Sequence, residues 1–169
     1  GASQTIVLGE GDDVLHGGAG DDIVGSGAGN DRIYGEEGND LVFGGAGDDY
    51  LDGGSGRDTA RFSGAVDGYA IRVKDGLVVM TDRLGGDGVD TVAAIETLRF
   101  TGGHSTAIDA VLARLYEGLL ERQATAAEVA YWQDVHAHGA TLRDIAVTIA
   151  GSPEAAAAGD GAGDDAFVA

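Results

Sequence analysis

The sequence predicts a chain of mixed class: a parallel β-solenoid, a β-hairpin cap over its end, and a small three-helix domain. Three observations lead there. A nonapeptide pattern runs through residues 8–61, a short alternating pattern follows at 69–81, and from Ser105 the apolar spacing becomes helical.

In rows of nine, residues 8–61 read LGEGDDVLH, GGAGDDIVG, SGAGNDRIY, GEEGNDLVF, GGAGDDYLD and GGSGRDTAR, in register without a gap. The sixth column is Asp13, Asp22, Asp31, Asp40, Asp49 and Asp58. The fourth is glycine throughout, and the eighth is Leu15, Val24, Ile33, Val42, Leu51 and Ala60. Three residues centred on an apolar one suffice for a short strand, and the glycine-rich remainder suits a tight loop. Strand, loop, strand and loop then close one solenoid turn every two rows. Stacked turns place Asp13, Asp31 and Asp49 on one edge and Asp22, Asp40 and Asp58 on the other. Residues 1–7 fit the end of a preceding row, with Ile6 in the apolar column and Gln4 replacing the aspartate. The array therefore opens in mid-repeat, as an excised piece of something longer or as a degenerate first turn.

Composition narrows the function. Glycine supplies 31 of the 169 residues, far above the roughly 7% of ordinary chains. Acidic residues number 29 against 10 lysines and arginines, a formal net charge of -19. Such a surface repels nucleic acid and anionic membranes and attracts cations. With no cysteine, neither a disulfide framework nor a thiolate metal site can form. No apolar run approaches the roughly 18 residues of a membrane span, and GASQTIVLGEG has neither the basic nor the apolar region of a secretory leader.

Calcium is a hard cation that takes oxygen ligands from carboxylates and backbone carbonyls alike. GGxGxD offers both in six residues. The candidate ligands are the carboxylates of the six column aspartates and the carbonyls of the loops. These loop residues are Gly9 and Gly11; Gly17, Gly18, Ala19 and Gly20; Ser26, Gly27, Ala28 and Gly29; Gly35, Glu36, Glu37 and Gly38; Gly44, Gly45, Ala46 and Gly47; and Gly53, Gly54 and Gly56. Strands about 4.8 Å apart let one ion sit between successive loops and take a carboxylate from each. The pairs are 13 with 31, 31 with 49, 22 with 40, and 40 with 58, giving about four ions, and more if the ends recruit Gln4, Asp52 or Asp90. Unneutralised, carboxylates at that spacing repel strongly, so without metal the segment is expected to be disordered and calcium binding becomes folding free energy. A solenoid that used aspartate only to make turns would leave that repulsion unanswered.

This pattern resembles the RTX (repeats-in-toxin) calcium-binding β-roll, over residues 8–61. The resemblance implies a right-handed parallel β-roll holding Ca2+. Ser26 at a first glycine, Glu36 at a second and Leu8-Gly9 at the head of row one depart from the pattern, although their carbonyls can still serve.

Beyond the array, YAIRVKDGLVVMT (69–81) alternates about Lys74-Asp75-Gly76 and reads as a β-hairpin. DTVAAIETLRF (90–100) continues the β character, and GGDGVDTVA (85–93) is a seventh nonapeptide, out of phase, which makes Asp87 or Asp90 a candidate for a further calcium. Residues 62–103 resemble the β segment that follows RTX arrays and read as a cap for the solenoid's open end.

From 104 to 153 three helices are expected. Ile108, Val111, Leu112, Leu115, Tyr116, Leu119 and Leu120 form one face of the first. Thr125 with Glu128 makes a capping box for the second, whose stripe is Val129, Trp132 and Val135 or His136, and Gly139 stops it. Thr141 with Asp144 opens the third, with Leu142, Ile145, Ala146 and Ile149 inward, until Gly151-Ser152-Pro153. Residues 154–169 read as a flexible tail. This part is similar to a helical domain of unknown function found beside RTX arrays in large secreted bacterial proteins, through Leu115-Tyr116, Leu119-Leu120, Arg122, Tyr131-Trp132 and Ser152-Pro153-Glu154. Tyr131 and Trp132 are candidates to stack on a sugar, against the plainer reading as core. His136 and His138 do not share a helical face, His16 and His104 are isolated, and no hydrolase, phosphate-loop or dinucleotide fingerprint occurs.

The expectation is a non-catalytic, calcium-dependent folding module. By the resemblance it is the C-terminal part of a bacterial protein exported by type I machinery, acting outside the cell. Asp164-Asp165-Ala166-Phe167-Val168-Ala169 resembles the acidic-then-apolar ends of such substrates, or is a frayed terminus. The alternative is an adhesion module that binds cell-surface polysaccharide, with the roll as a calcium-stiffened stalk.

Overall fold

The computed structural model describes residues 1–75, 77–100, 108–140 and 142–158. Within the array the strands are β1 (Thr5–Val7), β2 (Val14–Ala19), β3 (Ile23–Ala28), β4 (Arg32–Glu37), β5 (Leu41–Ala46), β6 (Tyr50–Asp52) and β7 (Thr59–Phe62). They alternate between two parallel sheets, as the two-row turn requires. Val14 pairs with Arg32 in one sheet and Ile23 with Leu41 in the other. The expected solenoid is present.

Its interior is narrow. Each strand turns its position-8 side chain inward, and Leu15, Val24, Ile33, Val42, Leu51 and Ala60 are buried. Opposing strands meet through one apolar residue each, so apolar burial is small for the number of residues ordered.

The hairpin expected after the array is β8 (Tyr69–Lys74) with β9 (Leu77–Asp82), in register from Tyr69 opposite Asp82 to Lys74 opposite Leu77. Asp75 takes φ 53°, as a tight Asp-Gly turn demands; Gly76 lies outside the described residues. The strands after it, β10 (Val89–Ala93) and β11 (Thr97–Phe100), belong to the solenoid itself. β10 pairs parallel with β6, and β11 parallel with β7. One sheet therefore runs β1-β3-β5-β7-β11 and the other β2-β4-β6-β10-β9-β8.

The hairpin interrupts a repeat. Val42 lies opposite Ala60, so counting on places Phe62 over Gly44 and Ser63 over Gly45. The chain then leaves for the hairpin and re-enters at Asp87, whose carbonyl accepts the Gly47 N–H as Ala46 accepts that of Gly29. Asp87 joins the two ends, taking hydrogen bonds from the Ser63 N–H (2.8 Å), the Ser63 hydroxyl and the Tyr69 hydroxyl. The seventh nonapeptide is thus Phe62-Ser63 followed by Asp87-Gly88-Val89-Asp90-Thr91-Val92-Ala93. Gly85 and Gly86, which resemble its first two residues in the sequence, are exposed and lie in the return loop.

Past Ala60 the core widens. Phe62, Tyr69 and Phe100 cluster with ring centroids 5.3–5.6 Å apart, and one continuous core runs on through Ile71 and Met80 into the helices. These are α1 (Ile108–Leu120), α2 (Ala126–Ala137), α3 (Leu142–Ala150) and α4 (Pro153–Ala158). Helix α1 packs on β8 with Leu112, Leu115, Tyr116 and Leu120 buried and Leu119 half-buried. Gly118 makes the approach possible, since a Cβ there would collide with the Ile71 carbonyl. An edge strand is covered in this way.

The Thr125–Glu128 capping box forms in both directions, and α2 ends before Gly139, at φ 101°. Its stripe of Val129, Trp132, Val135 and His136 is half-buried, and no residue of α2 is fully buried. In α3, Ile145, Ala146 and Ile149 face the core. Pro153–Ala158 corrects the expectation of three helices followed by a tail at 154. Proline suits a first helical position, and the Ser152 hydroxyl accepts the Ala155 N–H at 3.1 Å. Thr141, His104 and residues 159–169, with the readings placed on them, lie outside the described residues, as do the side chains of Ile108, Val111 and Leu142.

Candidate metal centre

In rows two to six the loops are built by backbone geometry at two positions. Gly45 and Gly47, at positions 2 and 4, have φ of 112° and 132°, and a Cβ on either would strike a carbonyl of the loop one turn away. Glu36 holds position 2 at φ 79° without glycine, so the departure keeps the loop's form at a cost of roughly 1 kcal/mol or more. Its carboxylate reaches His16 Nδ1 at 2.7 Å, and His16 stacks on Tyr34.

On these loops the position-6 aspartates form two ladders, each linked at one-turn intervals. The backbone N–H of Asp13 donates to Oδ1 of Asp31 (2.8 Å), Asp31 to Asp49 (2.8 Å), Asp22 to Asp40 (2.7 Å) and Asp40 to Asp58 (2.7 Å). Each carboxylate therefore completes the turn before its own. The pairs inferred from the period alone, 13 with 31, 31 with 49, 22 with 40 and 40 with 58, are neighbours in space.

The second carboxylate oxygen carries the chemistry. Oδ2 of Asp22, Asp31, Asp40, Asp49 and Asp58 is buried without a hydrogen-bond partner, in residues no more than 3% exposed. Such atoms are costly unless a cation or donor meets them. In the four of these rows that open on glycine, those of Asp22, Asp40, Asp49 and Asp58, the oxygen lies against position 1. A Cβ on Gly17 would sit 3.0 Å from Asp22 Oδ2 and 2.7 Å from the Gly35 carbonyl oxygen. On Gly35 it would crowd Asp40 Oδ2 and the Gly53 carbonyl, and on Gly44 it would collide with Asp49. Glycine keeps this cradle open. Ser26 occupies the equivalent place beside Asp31, and its hydroxyl donates to the Gly44 carbonyl at 2.9 Å.

Burial raises the carboxyl pKa of Asp40, and lifts Asp49 and Asp58 to about 6 and Asp90 to about 8. The backbone N–H that each accepts pulls the other way, and the neighbouring carboxylate of the ladder raises it further.

Carbonyls at positions 2 and 3 are partly engaged. Gly9 accepts the Ala28 N–H, Ala28 that of Gly11, Glu37 that of Gly20 and Ala46 that of Gly29, at 2.7–2.9 Å. Each oxygen has one lone pair remaining. Among the described residues no three His, Asp or Glu side chains converge on a point. Two carboxylates and several carbonyls per level suit a hard, oxygen-seeking ion better than a site of converging side chains.

Sequence reasoning left the ends open, and the structure closes them unequally. Asp90 joins the first ladder, accepting the Asp49 N–H at 3.0 Å. Gln4 heads the second, donating its N–H to Asp22 Oδ1 (2.6 Å) while its side-chain amide donates to the Gly17 carbonyl (3.1 Å). Asp52 stays outside, accepting from the Gly54 N–H and the Tyr50 hydroxyl. Asp87 is occupied as the staple described above, so of the two cap candidates Asp90 alone stands in the ladder.

Two features were missed. Glu96 ends the second ladder, accepting the Asp58 N–H at 2.8 Å. Position 5 makes two further, exposed ladders running the other way: Asp12 accepts from Asn30 and Asn30 from Asp48 on one edge, and Asp21 from Asn39 and Asn39 from Arg57 on the other. The Asp/Asn column at position 5 was the available signal.

Tyr131 is 60% exposed. Trp132 is half-buried, its indole N–H donating to the Tyr116 hydroxyl at 2.9 Å. The two rings meet edge-on at 4.9 Å.

Residues 1–33 and 25–60 match the family model of the RTX calcium-binding nonapeptide repeat (4 copies). Among solved structures, the extracellular lipase LipA from Serratia marcescens is similar, at 22% identity and a TM-score of 0.48, over 56% of this chain. The similarity spans 15% of that lipase's chain. No curated protein matches. The array is a solenoid of RTX nonapeptide repeats, a calcium-binding type.

Proposed function

We propose that this chain is a non-catalytic module whose folding is driven by calcium. The observation that supports it best is the row of buried aspartate oxygens without partners, stacked one turn apart with no basic side chain among them. Two ionised carboxylates one strand spacing apart repel by roughly 3 kcal/mol at an effective dielectric of about 20. The narrow apolar interior offers little to offset a column of such pairs. Bound calcium supplies positive charge and accepts the free lone pairs. The chain's own part is to hold Oδ1 on the adjacent turn, keep position 1 clear with glycine, and exclude water behind the position-8 side chains.

The four inter-turn pairs named above, with Asp49 and Asp90 added as a fifth, give a capacity of about five ions. Low cytosolic calcium would leave the acidic chain unfolded and soluble, suited to threading through a type I exporter, and calcium-rich surroundings would fold it outside the cell. The rest of the parent protein would carry whatever catalysis or recognition it performs. Circular dichroism of the chain with calcium and with a chelator tests the reading. At about pH 8, above the raised values of Asp49 and Asp58 and level with that of Asp90, loss of the β signal on chelation, restored by calcium, is expected, whereas full β structure in chelator at that pH rejects it.

The exposure of Tyr131 favours a second reading, adhesion to surface polysaccharide through α2. Binding to a glycan array by the native chain, lost in Tyr131→Ala while the fold persists, would establish it.

A further inference from the structure

We propose that the crossing from β10 to β11 supplies the ligands of a last calcium site, at Asp58, through the Ala94 carbonyl and the Glu96 carboxylate. The proposal rests on the calcium reading above and extends it to residues outside the repeats.

Three cradles stack on this edge. In the first, an added Cβ at Gly17 meets Asp22 Oδ2 and the Gly35 carbonyl; in the second, Gly35 meets Asp40 Oδ2 and the Gly53 carbonyl. In the third, Gly53 meets Asp58 Oδ2 at 2.6 Å and, in the place of the position-1 carbonyl, that of Ala94. Ala94 belongs to no nonapeptide. It is brought here by the chain crossing from β10 to β11 by a path shorter than a full row, and it takes φ 46° to do so. The crossing delivers Glu96, whose Oε2 takes the Asp58 N–H as Oδ1 does in the turns below.

Asp58 is 0% exposed and its Oδ2 has no partner. A ladder ended only to satisfy a backbone N–H would need no charge, since an amide oxygen accepts it as well. Here the terminal group is a carboxylate, placed beside a buried oxygen that already carries excess negative charge. That choice adds repulsion unless a cation is shared. The extra methylene of glutamate spans the gap left by the shortened loop, and the ligand class is a hard divalent cation bound by oxygen.

Glu96→Gln separates the two roles, because the amide oxygen can still accept the Asp58 N–H. Calcium binding to the full chain is measured by calorimetry, with circular dichroism at saturating calcium as the check on folding. One ion fewer, or one site weakened at least tenfold, is expected in the variant. An unchanged number and affinity of ions overturns the proposal and leaves the calcium reading intact, whereas absence of binding by the native chain removes both. If Glu96→Gln does not fold, Glu96→Asp is read instead: it keeps the charge, falls a methylene short, and is expected to weaken the same single site, with unchanged affinity overturning the proposal.

Discussion

In the roll each strand buries one apolar side chain while each loop tucks away one aspartate; in the helices the buried set is apolar and the charges meet at the surface. There Arg122 lies between Glu128 and Glu154, over the ring of Tyr116. Opposite charges are covalently present in the helical part. In the roll, no ion pair among the described residues reaches the position-6 aspartates, and on the calcium reading proposed above their countercharge comes from solution. The difference teaches that two regions sharing one continuous core can answer to different variables, apolar packing in one and ion concentration in the other.

The largest expected effect breaks the roll alone. Asp40→Ala removes the carboxylate shared by two turns of one edge, and a calcium titration followed by circular dichroism should show its folding midpoint moved upward at least tenfold, with fewer ions bound. Next, Leu115→Ala should lower the urea stability of the calcium-loaded chain by about 2–5 kcal/mol. That loss should be the same at all saturating calcium concentrations.

Proton concentration sharpens the contrast further. Asp49 and Asp58 at about 6 and Asp90 at about 8 lie above the usual carboxylate value near 3.9. The folded roll then binds more protons than the unfolded chain, so in chelator its stability is fullest below about pH 4 and is lost as pH rises through 6 to 8. Glu128 has the opposite sign. Hydrogen bonds from Arg122 hold it at about 2, so its contribution is present above about pH 4 and lost as pH falls through 2. A pH series in chelator should therefore show β signal growing from pH 8 to 5 while the helical signal holds. The smallest effect belongs to position 5: Asn30→Ala removes the acceptor of the Asp48 N–H and should cost about 1 kcal/mol without altering the number of ions bound.

Much of this was legible from spacing. The position-6 aspartates, their pairing at alternate rows and the buried position-8 column follow from a period that backbone geometry repeats faithfully. The seventh repeat was seen but wrongly assembled. Contiguous letters suggested Gly85-Gly86, whereas the turn is completed by Phe62-Ser63 across an inserted hairpin, and strand register rather than spelling decides such a case. Glu96 was invisible for a related reason: the shortened crossing removes it from phase, and only the position of the Asp58 N–H reveals its part. In the helices, the capping box and the faces of α1 and α3 were readable from local pattern, while α4 lay in an alanine-rich stretch with no apolar periodicity to mark it.

Each carboxylate completes the turn before it, and each turn relates to the next by the same offset. Excising residues 23–40 would join Asp22 to Leu41, a position 6 to a position 7, and leave every remaining column aligned. Length is therefore an independent variable of this architecture, adjustable in whole turns while the junction with the hairpin and helices stays as it is.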